Sequence, residues 1–443
     1  MAPSTSAHSR SAALPNVLTS RRSVLAGLGL VGLTPVLAAC GGPGATSSAP
    51  TTGAAGTPGA VQGDISFYHW RGEDREVIDQ IIEAFVGEYP DATVQQAIDP
   101  SNQYQATAAV KARSGNTGDA LTAFRGAQLV QFAEQGIFRD LSDAPFKDSY
   151  VPNLLSAGAA NGVQYGYPYQ LVFNMPLLNS DLAERAGLSE APGDWDAWLS
   201  ALDALRGLDV EPFVWPGNDQ ANGLQVINSL SMNLLPEENA FAGIEAGTYK
   251  TTDDWWLEAL NRFRELSAYF QDDFSGAKTE GLVSLFAQGK AAVLPTGSYQ
   301  IAQIRSAGGE FPIELAPLMT NAAGETPTYE GIHNATFILG VNAQAQNPDG
   351  ALAWLEFLSR PEIATIYANG TAQHVPLNGI EYDNADLKAL APWSSRHTLL
   401  APRFQFLDLD IRNAVENSLV AVANGTSPDQ AAAEAQAIID DKL

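Results

Sequence analysis

Cysteine is nearly absent from this chain, which has one, Cys40, among its 443 residues. A single cysteine excludes disulfide bonds within the chain, and it excludes a zinc site made of several thiolates. Histidine is also scarce, and the 5 histidines show no spacing typical of metal ligands. We therefore expect no metal site and no cofactor.

Motifs of the common hydrolases and nucleotide-binding enzymes are missing as well. The sequence has no G-x-S-x-G, no H-E-x-x-H and no P-loop. A glycosidase needs two facing carboxylates, but adjacent acids such as Asp253 and Asp254 point in different directions and favour a helix N-terminus. We predict a protein that is not an enzyme, with a secreted glycan-active enzyme as the less favoured alternative.

The first 39 residues lack aspartate and glutamate. Gly27, Gly29 and Gly32 match a dinucleotide-binding fingerprint, but no strand precedes them and the first acid, Asp64, comes too late. The apolar run over 24–39, roughly 16 residues, is shorter than the roughly 20 of a membrane-spanning helix. A basic start, an apolar run and small residues before a cleavage point predict an export signal over 1–39.

Two short motifs refine this signal. Ser20-Arg21-Arg22 resembles a twin-arginine signal, which exports folded proteins, and Leu37–Cys40 resembles the lipobox of bacterial lipoproteins. Residues 40–63 are then the lipidated cysteine and an uncharged, flexible tether rich in small residues. We expect the protein on the outer face of the cell membrane, anchored by a lipid at Cys40. An ordinary secretory signal with an incidental cysteine is the alternative.

Positive charge is in short supply. The chain has 24 basic and 50 acidic residues, and losing Arg10, Arg21 and Arg22 with the signal takes the formal net charge from −26 to −29. Such an excess of acid opposes binding to nucleic acid and to anionic membrane surfaces, so we expect no nucleic-acid partner.

Strand-like and helix-like segments alternate along the rest of the chain. The β-prone run Ile65–Trp70 is followed by apolar residues at helical spacing over 77–86 and by a strand at 92–94, which together predict a βαβ unit. An Asp194 N-cap and a capping box at Ser427–Gln430 mark later helices. About 380 residues in this pattern predict an α/β fold with two domains.

The order of local motifs from Ile65 to Leu443 resembles the bacterial extracellular solute-binding proteins of family 1, the sugar-binding lipoproteins of ABC importers. The segments that carry the resemblance are FVGEYPDATV at 85–94, QGIFRDL at 135–141, YGYPY at 165–169, DWDAW at 194–198, FAQGKAAV at 286–293 leading to GSY at 297–299, and ANGTSP at 423–428.

The resemblance implies a periplasmic-binding-protein-like fold, in which hinge crossings join two α/β lobes and the ligand binds in the cleft between them. It implies an N-terminal lobe of 64–170 plus 328–375 and a C-terminal lobe of 171–327 plus 376–443. It also implies that the lobes close on a carbohydrate and deliver it to the permease subunits of an ABC importer. We expect the protein to be a monomer.

Sugars offer apolar C–H faces, which aromatic rings cover, and hydroxyl rims, which carboxylates, amides and guanidinium groups satisfy. Ligands of α/β sheets bind at strand ends and in the adjoining loops. Tyr299 stands where many members of the family have tryptophan, and Asp408 and Asp410 stand where an aromatic ring often stacks on the sugar. The predicted ligand contacts are Trp70, Arg71, Arg125, Tyr169, Gln170, Trp215, Asn218, Tyr299, Glu330, His333, His374, Asp408 and Asp410.

Packing is the alternative role for several of these residues. Trp70 and Trp215 also suit a structural position, and His333, in a loop before a strand predicted from Thr336, suits a packing role, as does His374. The ligand class has an alternative too. A non-sugar solute such as a glycerophosphodiester would place its phosphate on Arg71 or Arg125.

Overall fold

Two β-sheets, each covered by helices, form the framework of the protein. The computed structural model describes residues 61–72, 74–115 and 117–443. The predicted export signal, the predicted lipidation site Cys40 and the predicted tether up to residue 60 lie outside the described residues. The last residue of the predicted tether, Gly63, belongs to the first strand. The strands are β1 Gly63–His69, β2 Ala92–Ile98, β3 Ala120–Ala123, β4 Ala159–Ala160, β5 Val163–Gln164, β6 Tyr167–Val172, β7 Leu177–Asn179, β8 Glu211–Phe213, β9 Ala291–Leu294, β10 Ile313–Leu315, β11 Gly331–Val341 and β12 Thr398–Leu400.

Helices separate most of these strands along the chain. They are α1 Arg75–Glu88, α2 Ser101–Arg113, α3 Ala127–Glu134, α4 Ser180–Arg185, α5 Trp195–Arg206, α6 Gln220–Gly223, α7 Val226–Ser231, α8 Ala240–Glu245, α9 Asp254–Ser267, α10 Thr279–Ala287, α11 Ile301–Ser306, α12 Pro348–Leu358, α13 Pro361–Thr371, α14 Ala385–Leu390, α15 Leu409–Ala423 and α16 Pro428–Asp440.

The first sheet has the order β12-β11-β3-β1-β2, and β6 also pairs with β11. Strand β1 is parallel to both β2 and β3, as the predicted βαβ unit requires, whereas β11 is antiparallel to β3 and β6. The second sheet has the order β10-β7-β9-β8, with β8 parallel to β9 and the other pairs antiparallel. The predicted α/β fold with two lobes is confirmed.

The buried apolar residues form a core for each sheet and a third cluster between them. The first core joins β1, β3 and β11 to α1, α2, α12 and α13, with Trp354 fully buried. The second core joins β7 and β9 to α5, α9, α15 and α16 around Trp256. The third cluster contains Phe173, Met175, Trp393 and Leu399, which lie where the chain passes between the sheets.

Strand β11 receives chain segments from three parts of the sequence. Its first residues pair in parallel with β12, its middle pairs with β6, and its end pairs with β3. The chain leaves β6 for β7 across residues 173–176, and it returns to β11 after β10. Leu377, two residues past the predicted lobe boundary at 375, packs in the first core. The lobe boundaries themselves stay predictions.

Local signals in the sequence correspond to the ends of several helices. The Asp194 carboxylate accepts a hydrogen bond from the Ala197 N–H at 2.8 Å, and the Ser427 hydroxyl accepts one from the Gln430 N–H at 3.3 Å, so both N-caps are confirmed. The return bond of the predicted capping box is not made, because the Gln430 side chain donates to Glu434 at 2.9 Å instead. The placement of His333 in a loop is wrong. Strand β11 begins at Gly331 rather than at Thr336, because pairing with β12 extends it.

In the stretches 61–72, 74–115 and 117–443, no helix has both the length and the apolar character needed to cross a bilayer.

The last residue of β1, His69, is fully buried and held in one neutral form. Its Nδ1 accepts a hydrogen bond from Arg71 N–H at 3.2 Å, so the proton is on Nε2, which faces Gln96 Oε1 at 2.9 Å. Burial, the largest influence, lowers the pKa of His69 to about 4. Protonation would therefore cost both the burial free energy and the bond from Arg71.

We predict that His69 makes the fold sensitive to mild acid. The pKa of His69 is lower in the folded state than in the unfolded state. Its contribution to the free energy of unfolding is therefore constant above the unfolded pKa of about 6.5, and it is lost as the pH falls from there toward 4. Between pH 7 and pH 5 the expected loss in the free energy of unfolding from this residue is about 2 kcal/mol. Urea unfolding of His69→Gln should show a correspondingly smaller loss. The matched control is His397→Gln, at an exposed histidine, and equal pH dependence in all three proteins would contradict the prediction.

Candidate ligand-binding site

An aromatic cluster covers the ends of β1 and β3. Trp70 follows β1, and its ring stacks on that of Phe124, which follows β3, with ring centroids 3.7 Å apart and an angle of 16°. Phe337 of β11 meets Trp70 edge-on at 5.1 Å. Trp70 is 8% exposed, so its ring is held mainly by its own lobe. The stack brings the residues that follow the two strands, Arg71 and Arg125, to one edge of the sheet.

The backbone of Phe337 is strained where it contacts this cluster. Its φ is 55°, in the left-handed region that aromatic residues rarely adopt. Such strain costs on the order of 1–3 kcal/mol and is concentrated at functional sites in proteins. Here it places a ring against both Trp70 and His69.

A buried acidic residue organises the polar side chains next to Trp70. Asp74 accepts hydrogen bonds from Arg71 Nε at 2.8 Å and Nη2 at 3.0 Å, and from the Tyr367 hydroxyl at 2.6 Å. The Gln170 side chain also bonds to the Tyr367 hydroxyl, at 2.6 Å. Tyr169, the neighbour of Gln170, lies in the first core with its ring 4.7 Å from that of Tyr367, and its own hydroxyl has no partner among the described residues.

Arg125 extends from the end of β3 to the segment that follows β12. Its Nη2 donates a hydrogen bond to the Ala401 carbonyl, and its guanidinium carbon lies 5.3 Å from the centre of the Phe404 ring. The Ala401 N–H in turn donates to the His333 carbonyl at 2.8 Å. These contacts bring Arg125 and His333 together. Burial lowers the pKa of Arg125 to about 9, and burial followed by the charge of Arg125 lowers the pKa of His333 to about 3.

Tyr299 lies after β9, in the second lobe. Its hydroxyl donates to Asn222 Oδ1 at 2.8 Å, and Asn222 Nδ2 donates to Asp219 at 2.8 Å. Burial raises the pKa of Tyr299, with smaller opposing influences from Arg403, which lowers it, and Asp219, which raises it. Tyr299, Asp219 and Arg403 are therefore close enough to interact, and Phe404, the neighbour of Arg403, contacts Arg125 of the first lobe.

A second polar network runs from the crossing after β6 to Arg403. Asn174 Nδ2 donates to Gln225 Oε1 at 3.1 Å, Asn228 Nδ2 donates to the same oxygen at 3.0 Å, and Arg403 N–H donates to Asn228 Oδ1 at 3.0 Å. The Arg403 guanidinium makes a two-point contact with Glu416, which is 2% exposed. This network fixes the segment that faces Arg125.

Several buried polar atoms on β11 and on the segments that follow β3 and β6 have no hydrogen-bond partner among the described residues. They include Arg125 Nε, His333 Nε2, Asn174 Oδ1 and Asn334 Oδ1. An unpaired buried polar atom costs about 1–3 kcal/mol, so each of these atoms is a position where a partner outside the described residues would be stabilising.

The structure brings Trp70, Arg71, Gln170, Arg125, His333 and Tyr299 into or next to this region, and it gives other predicted contacts different surroundings. Trp215 is buried in the second core, where its ring stacks 5.2 Å from Phe270 and its Nε1 donates to the Gly223 carbonyl at 2.9 Å. Asn218 is exposed on the loop that carries Asp219. These surroundings match the packing alternative for Trp215.

The remaining predicted contacts make hydrogen bonds outside the region. Asp408 caps α15, accepting from Asp410 N–H at 2.7 Å, and Asp410 pairs with Lys442. Glu330 accepts from His397 N–H at 2.9 Å. The His374 ring faces the Leu387 carbonyl at 2.8 Å, beside a cavity of about 90 Å³. A role in ligand binding for these four stays a prediction.

Sequence reasoning did not single out Asp74, Asn222, Asn228, Arg403 or Glu416. None of them belongs to a local motif, because their partners come from distant parts of the chain. The one local signal for a ligand-binding position is the segment Pro402-Arg403-Phe404 after a short strand, which has a cation beside an aromatic ring. Across 61–72, 74–115 and 117–443, no group of three or more histidine, cysteine, aspartate or glutamate side chains is placed to hold a metal ion.

Comparison with known proteins agrees with this architecture. The family model of the bacterial extracellular solute-binding proteins matches residues 71–365. A binding protein of Brucella abortus is 23% identical over 393 residues, covering 82% of this chain and 89% of that protein. The multiple sugar-binding protein of Streptococcus mutans is 21% identical over 376 residues, covering 82% and 85%.

A solved structure shows the same fold. Apo RafE from Streptococcus pneumoniae superposes with a TM-score of 0.75 at 17% identity, covering 87% of this chain and 99% of that one. RafE in complex with raffinose gives a TM-score of 0.67 at 18% identity, covering 86% and 99%. The chain belongs to the bacterial extracellular solute-binding protein family, as the sequence motifs predicted.

We predict that the contact between Gly126 and Phe404 leaves no room for a side chain. Gly126 has φ 82° and ψ −131°, and an added Cβ would lie 2.5 Å from the Phe404 carbonyl oxygen. Gly126→Ala should lower the free energy of unfolding by about 2–4 kcal/mol, from backbone strain and overpacking together. Chemical denaturation measures the loss.

Gly136, just beyond the other end of α3, supplies the matched control. It also has a positive φ, 61°, but an added Cβ there meets nothing within 4 Å. Gly136→Ala should therefore cost about 1 kcal/mol, from backbone strain alone. Equal losses in the two variants would show that the contact between Gly126 and Phe404 does not constrain the fold.

Proposed function

We propose that this protein is the extracytoplasmic substrate-binding protein of an ABC importer and that it captures a carbohydrate, a mono- or oligosaccharide, between its lobes. The observation that carries the proposal is the chain of contacts that joins the two sheets. It runs from the Trp70–Phe124 stack and Arg125 at the strand ends of the first sheet, through Phe404 and its neighbour Arg403, to Tyr299 after β9. Membership of the solute-binding family supports the same class of function.

The side chains in this region suit the two kinds of surface that a sugar presents. The exposed parts of Phe124, Phe404 and Tyr299 offer aromatic surface to C–H faces. Arg125, Asn222 and the unpaired Asn174 oxygen offer donors and acceptors to hydroxyl groups. The raffinose complex of RafE and the sugar-binding name of the Streptococcus mutans relative support a saccharide as the ligand class.

We infer that lobe closure completes the site. The two lobes are joined by extended segments around β11, and rotation about such segments is the usual way in which two-lobe proteins enclose a ligand. Closure would bring further groups of the second lobe to the ligand and bury it. The closed form would then be the one that the permease subunits recognise, with the protein acting as a monomer.

We further propose that Cys40 carries the lipid that holds the protein at the outer face of the cell membrane. The twin-arginine motif at Arg21 and Arg22 would direct export, and the uncharged segment up to residue 60, before the described chain that leads into β1 at Gly63, would allow the lobes to reach the permease. The order of the motifs in the sequence supports this arrangement.

Calorimetry and thermal-shift measurements against a broad solute panel test the proposed function. The panel contains neutral and acidic mono- and oligosaccharides, glycerophosphodiesters and amino acids. We expect binding by at least one saccharide, with no turnover of it. Stabilisation by a glycerophosphodiester or an amino acid alone would reject the carbohydrate class, and release of a cleaved product from any glycan would reject a pure binding role.

Tyr299 is the residue whose loss should weaken saccharide binding from the second lobe. Removing a ring and hydroxyl that contact the ligand typically costs about 1.5–3 kcal/mol, so Tyr299→Ala should raise the dissociation constant about 10- to 100-fold. Tyr269→Ala is the matched control, because that tyrosine is also partly exposed and bonds to Asp203 at 3.0 Å on the outside of the same lobe. Equal saccharide affinities of the two variants would show that Tyr299 does not contact the ligand.

A further inference from the structure

Arg125 differs from the other partly or fully buried arginines in having no acid beside it. Arg71, Arg305, Arg360 and Arg403 each make a two-point contact with a carboxylate, from Asp74, Asp386, Glu88 and Glu416 respectively. Arg125 has one carbonyl and one ring face as partners among the described residues, and its Nε is buried and unpaired.

A guanidinium stays protonated in proteins, so Arg125 keeps its positive charge in this position. Arg125 is partly buried, with its Nε shielded from solvent, and withdrawing a charge from water without an opposite charge beside it costs free energy. Burial is the one influence on the pKa of Arg125, which it lowers to about 9, and no carboxylate of the described residues acts against it. The site therefore has an uncompensated positive charge in a chain with 50 acidic and 24 basic residues.

His333 adds a second unsatisfied basic group at the same place. It is 3% exposed, its Nδ1 faces the Thr398 hydroxyl at 2.9 Å, and its Nε2 has no partner. Arg125 is the charged group that acts on its pKa, and no carboxylate does. The Thr398 hydroxyl can donate to Nδ1, and in that tautomer Nε2 carries the proton and is a hydrogen-bond donor.

The start of α3 adds to the positive potential. The helix begins at Ala127, two residues after Arg125, and the first N–H groups of a helix lack partners within it. A helix N-terminus carries a partial positive charge and favours an oxyanion. Arg125 and His333 are thus two basic side chains that act on one another, and the segment that carries Arg125 continues into a helix N-terminus.

We propose that the captured saccharide carries an oxyanion, a carboxylate or a phosphate, and that Arg125 and His333 bind it. This inference rests on the proposed function and names the ligand class at its site. A carboxylate would give Arg125 the two-point partner that the other four arginines already have, and it would accept a bond from His333 Nε2. A neutral hydroxyl would satisfy the donors and leave the charge uncompensated.

Calorimetry at pH 7 with matched sugar pairs tests this proposal. The probes are galactose, galacturonate and galactose 6-phosphate, the corresponding glucose series, and neutral oligosaccharides with their uronate-containing counterparts. We expect one acidic member to bind at least about tenfold more tightly than its neutral counterpart, because a charge-assisted pair in a buried site is worth about that factor. The tighter of the uronate and the phosphate identifies the oxyanion.

Variants of Arg125 identify the residue responsible. Arg125→Gln should abolish the preference for the acidic sugar, and Arg125→Lys, which keeps the charge without the two-point geometry, should keep part of it. Arg360→Gln, at an arginine on the outside of the first lobe, is the control and should bind like the wild-type protein. Thermal melting shows whether each variant is folded, and the lysine variant still tests the charge if the glutamine variant is not.

Three results would overturn the proposal. Equal or tighter binding of the neutral sugars would reject the oxyanion and leave the carbohydrate-binding function standing. Equal weakening of neutral and acidic sugars by Arg125→Gln would show that Arg125 acts through its contacts with Ala401 and Phe404 instead. Failure of every saccharide to bind would reject the proposed function together with this inference.

Discussion

The pairing of β11 with three other strands is the interaction on which the rest of the structure depends. Residues 331–333 bond to β12, 334–339 to β6, and 338–341 to β3. Because buried backbone groups must be paired, each segment that passes between the sheets is fixed relative to this one strand. The residues that follow the paired strands therefore lie around His333. They are Asn174 after β6, Arg125 after β3 and Ala401 after β12.

Charge pairing divides the arginines of this region into two kinds. Arg71 and Arg403 are neutralised by Asp74 and Glu416, and their hydrogen bonds make a rigid polar frame on either side of the site. Arg125 has no acid in that frame among the described residues. The excess of acidic residues in the whole chain thus gives no indication of the charge at the site. The local charge depends on which arginines are paired with a carboxylate and not on the overall composition.

Much of the fold was predictable from the sequence because helix ends and short strands depend on near neighbours. The caps at Asp194 and Ser427 and the βαβ unit from Ile65 are examples. The start of β11 was not predictable, because the pairing of 331–333 depends on a strand more than 60 residues away. The family motifs supplied the two-lobe architecture, which local patterns alone left as two domains.

The candidate site was predictable only in part, for the same reason. Residues next to strand ends, such as Trp70 and Arg125, could be named because the strands were visible in the sequence. Trp215 also follows a strand, but its ring packs against Phe270, and this contact is evident only from the three-dimensional structure. Asn222 and Arg403 carry no local signal, because their contacts join segments far apart in the chain.

A crystal structure of the protein with a bound saccharide tests the central claim most directly. The account predicts that the sugar lies between the lobes, contacts Arg125 and Tyr299, and occupies hydrogen-bonding positions that the unpaired atoms of His333 and Asn174 leave open. A sugar bound elsewhere, with Arg125 and Tyr299 unchanged and free of contacts to it, would contradict the account.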